Sequence, residues 1–187
     1  TNKAPGGVAY RCSFRITERA TAYFPESVVA RPGHFAVELA SGIKAEMTSS
    51  DHAALFRFHY PVTEGKLPLI LLDLTDLSQS RQNASIHVDA DKVQLKGNGT
   101  FLPSFGTGTY VMHFCVDFVG GSVHDNGVWV NSRAGTEPKN LYITRGFNVF
   151  FQEAGGWMRF KSLTDNILTA RVGISFISAE QACSRAA

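Results

Sequence analysis

Apolar and polar side chains alternate at period two over most of this sequence, the pattern of strands with one face turned to a core. In residues 35–39, Phe35, Val37 and Leu39 share one face, and Ala36 and Glu38 take the other. Ser41-Gly42 predicts a tight turn, because glycine accepts the positive φ that short hairpins need. The return strand then puts Ile43, Ala45 and Met47 inward, with Lys44 and Glu46 outward. After Ser49-Ser50-Asp51 the alternation resumes, Phe56, Phe58 and Tyr60 against Leu55, Arg57 and His59. Pro61 ends the ladder there, since it has no N–H to contribute.

Comparable runs recur at 8–16, 21–30, 67–74, 84–88, 92–96, 109–119, 122–130, 141–153, 157–162 and 167–177. Turns are expected between them at Gly97-Asn98-Gly99, Gly106-Thr107-Gly108, Gly120-Gly121 and Gly155-Gly156. Strands so short and so punctuated predict an all-β fold, a large antiparallel β-sandwich of two sheets over residues 1–177. Only the tail changes period. Ser178-Ala-Glu-Gln181 is a capping-box pattern and predicts a short C-terminal helix from about Ser178, over residues 178–187. The helix stops within about two turns, as an interrupted linker between domains would.

Composition narrows the class. Apolar residues make up 44% and charged residues 18%, as in a globular chain. Fourteen Phe against three Met suit packed sheets better than helical bundles. A formal charge of +2, with scattered Lys and Arg, makes no phosphate-binding stripe, so nucleic acid is not an expected partner. No apolar run is longer than the four residues of Leu69–Leu72, far short of the ~18 that a membrane helix needs, so no membrane is expected either. Two sequons, at Asn83 and Asn98, are candidate N-glycosylation sites and point to a secreted, extracellular protein. The first residue is Thr1 rather than Met, compatible with a processed or cleaved end. Cys12, Cys115 and Cys183 allow one disulfide with a free thiol, or three buried thiols, and show no metal-ligand spacing.

Candidate chemistry is sparse. His113, Cys115 and Asp117 share one strand face, but neighbouring side chains on one strand point in parallel and do not converge. His87, Asp89 and Asp91 lack the six to eight oxygens of a Ca²⁺ site and read as a solvated edge. Glycoside hydrolysis needs two opposed carboxylates. Glu38, Glu46, Asp73, Asp76, Asp117, Asp125 and Glu153 lie on different strands, and no spacing picks out a pair. Asp73, after an apolar run, is the expected cap of a turn. Trp129 and Trp157 are the candidate carbohydrate-binding residues, since pyranose rings stack on indole faces; Trp157 follows a Gly-Gly pair that could expose it. No catalytic residue and no metal ligand is assigned.

Several stretches, read in order, resemble the N-terminal domain of the family 92 glycoside hydrolases, the calcium-dependent exo-α-mannosidases. They are Arg31-Pro-Gly-His-Phe-Ala-Val-Glu-Leu, Gly42-Ile-Lys-Ala-Glu-Met-Thr, Ala54-Leu-Phe-Arg-Phe-His-Tyr-Pro61 and Leu71-Leu-Asp-Leu74. Farther on lie Thr109-Tyr-Val-Met-His-Phe-Cys-Val-Asp-Phe118 and Ala170-Arg-Val-Gly-Ile-Ser-Phe-Ile-Ser-Ala-Glu-Gln-Ala182, the last being the most specific. The resemblance covers about residues 30–182 and implies a β-sandwich joined by a linker helix to an (α/α)₆ barrel. It also implies an active site between the two domains, an inverting displacement, and Ca²⁺ in the intact enzyme. The family's early motifs and its barrel are absent from this sequence, so the chain alone is expected to be inactive. Its expected partners are mannose-containing glycans and the missing barrel, or the remainder of a nicked chain. A stand-alone lectin-like carbohydrate-binding sandwich, or a purely structural interaction module, are the alternatives.

Overall fold

The computed structural model of the protein describes residues 10–11, 16–75, 80–131, 133–147 and 150–187. Its strands are β1 (Tyr10–Arg11), β2 (Val29–Arg31), β3 (His34–Glu38), β4 (Lys44–Ser49), β5 (Ala53–His59), β6 (Leu69–Asp73), β7 (Arg81–Asp89) and β8 (Gln94–Phe101). They continue as β9 (Tyr110–Val119), β10 (Gly121–Val130), β11 (Arg133–Gly135), β12 (Asn140–Thr144), β13 (Gly146–Phe147), β14 (Phe150–Phe151), β15 (Ala154–Leu163) and β16 (Ile167–Ser175). One helical turn, α1 (Ile16–Arg19), one helix, α2 (Ala179–Ala186), and two 3-10 turns, Pro25–Ser27 and Thr164–Asn166, complete the described elements.

Two antiparallel sheets face each other, as the alternation predicts. One has nine strands in the order β12-β7-β8-β9-β16-β5-β4-β3-β2, the other five in the order β1-β11-β10-β15-β6. Cross-strand partners lie on one face of a sheet, so the register Leu95↔Val116↔Val172 and Phe118↔Ala170↔Phe56 defines the inner face of the large sheet. Against it pack Val128, Met158 and Phe160 from the small sheet, and the ring of Phe160 meets Phe118 edge-on with centroids 5.9 Å apart. The chain passes from β9 in one sheet to β10 in the other through Gly120, at φ +98°, where a Cβ would sit 2.7 Å from the Ile167 carbonyl oxygen.

The first hairpin has the expected facing. Phe35 pairs with Met47 and Val37 with Ala45, and Gly42 turns at φ +82°. Burial is less one-sided than the alternation implies, because Ala36 on the opposite face is only 3% exposed while Phe35 and Val37 are half-buried. This hairpin lies toward the end of the large sheet, where the shorter five-stranded order has run out.

Two expected turns are strands instead. Gly97-Asn98-Gly99 lies inside β8 and Gly155-Gly156 inside β15. The glycines there serve close packing. A Cβ on Gly97 would lie 2.8 Å from the Phe114 ring, and one on Gly99 2.7 Å from Phe101. At Gly155 it would lie 1.9 Å from the Leu72 carbonyl oxygen and 2.7 Å from Trp129 Nε1. Three expected strands are also revised. Region 21–30 holds a 3-10 turn at Pro25–Ser27 before β2, and 141–153 breaks into β12 and the β13–β14 hairpin. Of 8–16, only β1 and the start of α1 fall within the described residues.

The C-terminal helix starts where the sequence predicts, with Ser178 as its cap accepting the Gln181 N–H at 3.1 Å. The reciprocal half of the capping box is diverted. Gln181 Oε1 accepts from Ser175 Oγ at 2.5 Å, tying the helix back to β16. α2 lies on the outer face of the large sheet, where Cys183 forms a disulfide with Cys115 of β9. It can lie so close because of Gly173, where a Cβ would be 2.0 Å from the Ala182 carbonyl oxygen. Arg185 Nη1 donates to the Ile174 carbonyl at 2.7 Å and closes the contact.

Gly155→Ala is expected to lower unfolding free energy in urea by about 1–3 kcal/mol, the usual cost of overpacking; an unchanged midpoint would contradict the close approach of β6 and Trp129. Cys183→Ser releases a cross-link between residues 68 apart, which the chain-entropy argument values at ~4 kcal/mol. Hydrogen exchange should then quicken first in α2. Equal protection of its amides with and without the bond would show that packing alone holds the helix.

Candidate functional site

The register of the small sheet collects polar and aromatic groups on its outer face. Trp129, Gly155 and Asp73 form one cross-strand row, Gly127, Trp157 and Leu71 the next, and Asp125, Arg159 and Leu69 the third. The two indoles thus stand on the same face, flanked by Asp73 at one end and Asp125 at the other. Trp129, Trp157, Ala134 and Leu71 pack as a separate apolar cluster away from the main core. Arg19 from α1 lies over the Trp129 ring at 5.7 Å and forms an ion pair with Asp73. Arg159 clasps Asp125 with two hydrogen bonds, one of them from Nε to Oδ1 at 2.6 Å, and His124 Nδ1 stands 3.4 Å from the same oxygen.

The two sequence-predicted sugar residues are brought together, but under cover. Trp129 is 1% and Trp157 5% exposed. Because Gly155-Gly156 is strand rather than turn, Trp157 has no loop to swing on. Its Nε1 is buried without an acceptor, and an unmet buried donor costs about 1–3 kcal/mol. The sequence-predicted glycosylation residues, Asn83 and Asn98, lie half-buried on β7 and β8 of the large sheet, paired on both sides, rather than in loops.

The other candidates are occupied. Cys115 is bonded to Cys183, so the His113-Cys115-Asp117 face carries no thiolate. Asp117 accepts from Gln94 Nε2 at 2.7 Å. Asp89 caps its turn by accepting the Lys92 N–H, and His87 Nδ1 contacts Asn140 Oδ1 at 2.5 Å. Asp73 caps its own turn as expected, with Oδ1 accepting the Thr75 N–H at 2.7 Å. Cys12 and Asp76 lie outside the described residues. No three His, Cys, Asp or Glu side chains converge on a metal position among the described residues.

Two features escape sequence reasoning. Arg81 is fully buried and gathers the carbonyl oxygens of Leu74, Thr144 and Gln152, stitching three separate segments together. At the start of an alternating run it carries no local sign of that role. The second is Glu46 on the outer face of the large sheet, which takes His59 Nε2 at 2.9 Å and Lys44 Nζ at 3.1 Å. The hydrogen bonds from His59 and Lys44 hold its carboxyl below the usual value of 4.5. A lowered folded value stabilises the protein above pH 4.5, and that contribution disappears as pH falls through the folded value. Wild-type stability should therefore drop on acidification below about pH 4.5, and Glu46→Gln should flatten that part of the curve in pH-dependent thermal melts.

Comparisons with known proteins agree with this architecture. The family model for the glycosyl hydrolase family 92 N-terminal domain matches residues 5–175. A protein of Arthroderma benhamiae named an uncharacterized secreted glycosidase is 49% identical over 182 residues, which are 94% of this chain and 24% of that protein. Among solved structures, a family GH92 inverting mannosidase from Bacteroides thetaiotaomicron superposes with a TM-score of 0.72 at 18% identity, covering 96% of this chain and 22% of the other. A second α-mannosidase of that family and organism gives 0.67 at 22% identity, with 89% and 22% covered. The chain thus spans about a quarter of the length of these relatives, and it belongs to the family of glycoside hydrolase family 92 N-terminal domains.

Proposed function

We propose that this chain is the non-catalytic β-sandwich portion of a secreted glycoside hydrolase that releases mannose from mannose-containing glycans. The observation that carries the reading is the family match over residues 5–175. The likeness of fold to an inverting mannosidase supports it. On this reading residues 178–187 begin a linker helix, and an (α/α)₆ domain elsewhere in the longer protein supplies the acid and base. One carboxylic acid would protonate the leaving oxygen while a carboxylate activates water on the opposite face of the ring. The sandwich's own part is support. Its Asp73, Asp125 and Glu46 carboxylates are each held by a cation or imidazole, which fixes them in place within the sheets.

Calcium dependence belongs to the same proposal and to the same absent domain. Ca²⁺ takes six to eight oxygens, and the described residues do not fit that demand. The proposal also includes carbohydrate contact at Trp129 and Trp157, and N-glycans on Asn83 and Asn98 attached before the sheet closes around them. A lectin-like module is the second reading, and the two indoles standing together on one face of the small sheet are the observation in its favour.

The purified 187-residue chain should release no mannose from α-mannosides with or without Ca²⁺, whereas a longer form carrying the helical domain should release it as the inverted anomer, read by proton NMR. Release by the short chain overturns the division of labour. Titration with mannose followed by indole fluorescence separates the lectin reading: saturable change in the short chain supports it, and a flat response removes it.

A further inference from the structure

The small sheet ends at β6, and its far edge is open among the described residues. The bonds from Leu74 N–H to Ala154 O and from Phe160 N–H to Pro68 O turn the even-numbered backbone groups toward β15. The backbone groups of Leu69, Leu71 and Asp73 therefore point away from it, and the Leu69 carbonyl is met there by the Tyr60 hydroxyl at 3.1 Å. Tyr60 is half-buried against the main core, and desolvation pushes its hydroxyl well above the ordinary phenol range. Finished sheets protect such edges with charge, proline or a bulge. Leu69-Ile70-Leu71-Leu72 has none of these within it.

Beneath this edge runs an apolar trough of about 460 Å³. Its lining includes Phe56, Phe58, Met112 and Phe114 from the inner face of the large sheet and Ile70 and Leu72 from β6. A free ladder edge beside a trough is the arrangement that receives an extended peptide, the backbone pairing with the edge and alternate side chains filling the trough. A second copy joined through its own β6 would meet the ladder alone, since its Ile70 and Leu72 already pack in its own core. The chain spans 24% of the Arthroderma benhamiae relative's length, so a polypeptide of this family has ample further chain to donate a strand.

We propose that the free edge of β6 and the trough beneath it seat an extended segment of alternating apolar and polar residues from the remainder of the longer polypeptide, adding a strand to the small sheet. The proposal rests on the reading of the chain as part of a longer glycosidase. It is tested with overlapping synthetic peptides that cover the Arthroderma benhamiae relative outside the matched region, titrated into the isotope-labelled 187-residue chain. At least one peptide should bind, with NMR shift changes centred on Leu69–Asp73 and Phe56–Phe58. Met112→Lys, which puts a charge in the trough, should weaken binding by about tenfold or more, equivalent to 1.4 kcal/mol. Leu69→Pro removes one outward N–H at the exposed first position of the strand, where proline is tolerated. It should weaken binding while leaving the circular dichroism spectrum unchanged. The proposal is overturned if no peptide binds, if binding maps elsewhere, or if neither folded variant alters it. Sedimentation as a dimer that Met112→Lys dissociates would assign the trough to a second copy and overturn it too. Peptide binding without mannosidase activity in the longer protein would instead sink the functional reading and spare this one.

Discussion

The apolar contact between two sheets of unequal width organises this molecule. Burial of apolar surface stabilises by roughly 25 cal/mol per Å², so the five-stranded sheet sits where it covers the most inner face, with Phe160 against Phe118 and Val128, Met158 and Leu95 around them. Five strands cannot cover nine. Between β6 and the inner residues Phe56, Phe58, Met112 and Phe114 of the wider sheet an apolar trough is left. The same docking turns Trp129 and Trp157 away from the core, onto a face of their own.

Strand facing was legible because it depends only on neighbours along the chain. Phe56 and Phe58 project inward together, Val116 and Phe118 likewise, and Ser178 caps the helix where the pattern places a cap. Glycine was misread because it has two uses that look alike in a sequence. In Gly106 and Gly108, at φ +94° and +96°, it turns the chain. In Gly97, Gly155 and Gly156 it makes room for a neighbour from another strand, and in Gly99 for the Phe101 ring two residues on; alternation alone does not tell the two uses apart.

The candidate site was less legible for the same reason. Arg19 meets Asp73 across 54 residues of sequence and Arg159 meets Asp125 across 34. The second pairing follows from strand order in the small sheet and the first from where α1 lies over it, and alternation encodes neither. Sequence did name the two indoles, because tryptophan is conspicuous anywhere. Their burial follows from Gly155, which lets Trp129 lie flat against the sheet, and from Arg19 above the ring. Beside the indoles, Asp73 and Asp125 each meet a guanidinium, and such charge-assisted bonds fix the position of both partners.

The disulfide at Cys115 has a mechanical meaning. β9 lies in the interior of the large sheet, hydrogen-bonded to β8 and β16. Tension applied at Ala187 would pass through the sulfur bridge into that strand after only the last few residues, bypassing the single turn-like junction at Ile177-Ser178. The load would then reach a strand held by a hydrogen-bonded ladder on each side. The C-terminal helix is thereby bolted near the middle of the plate rather than hung from its rim.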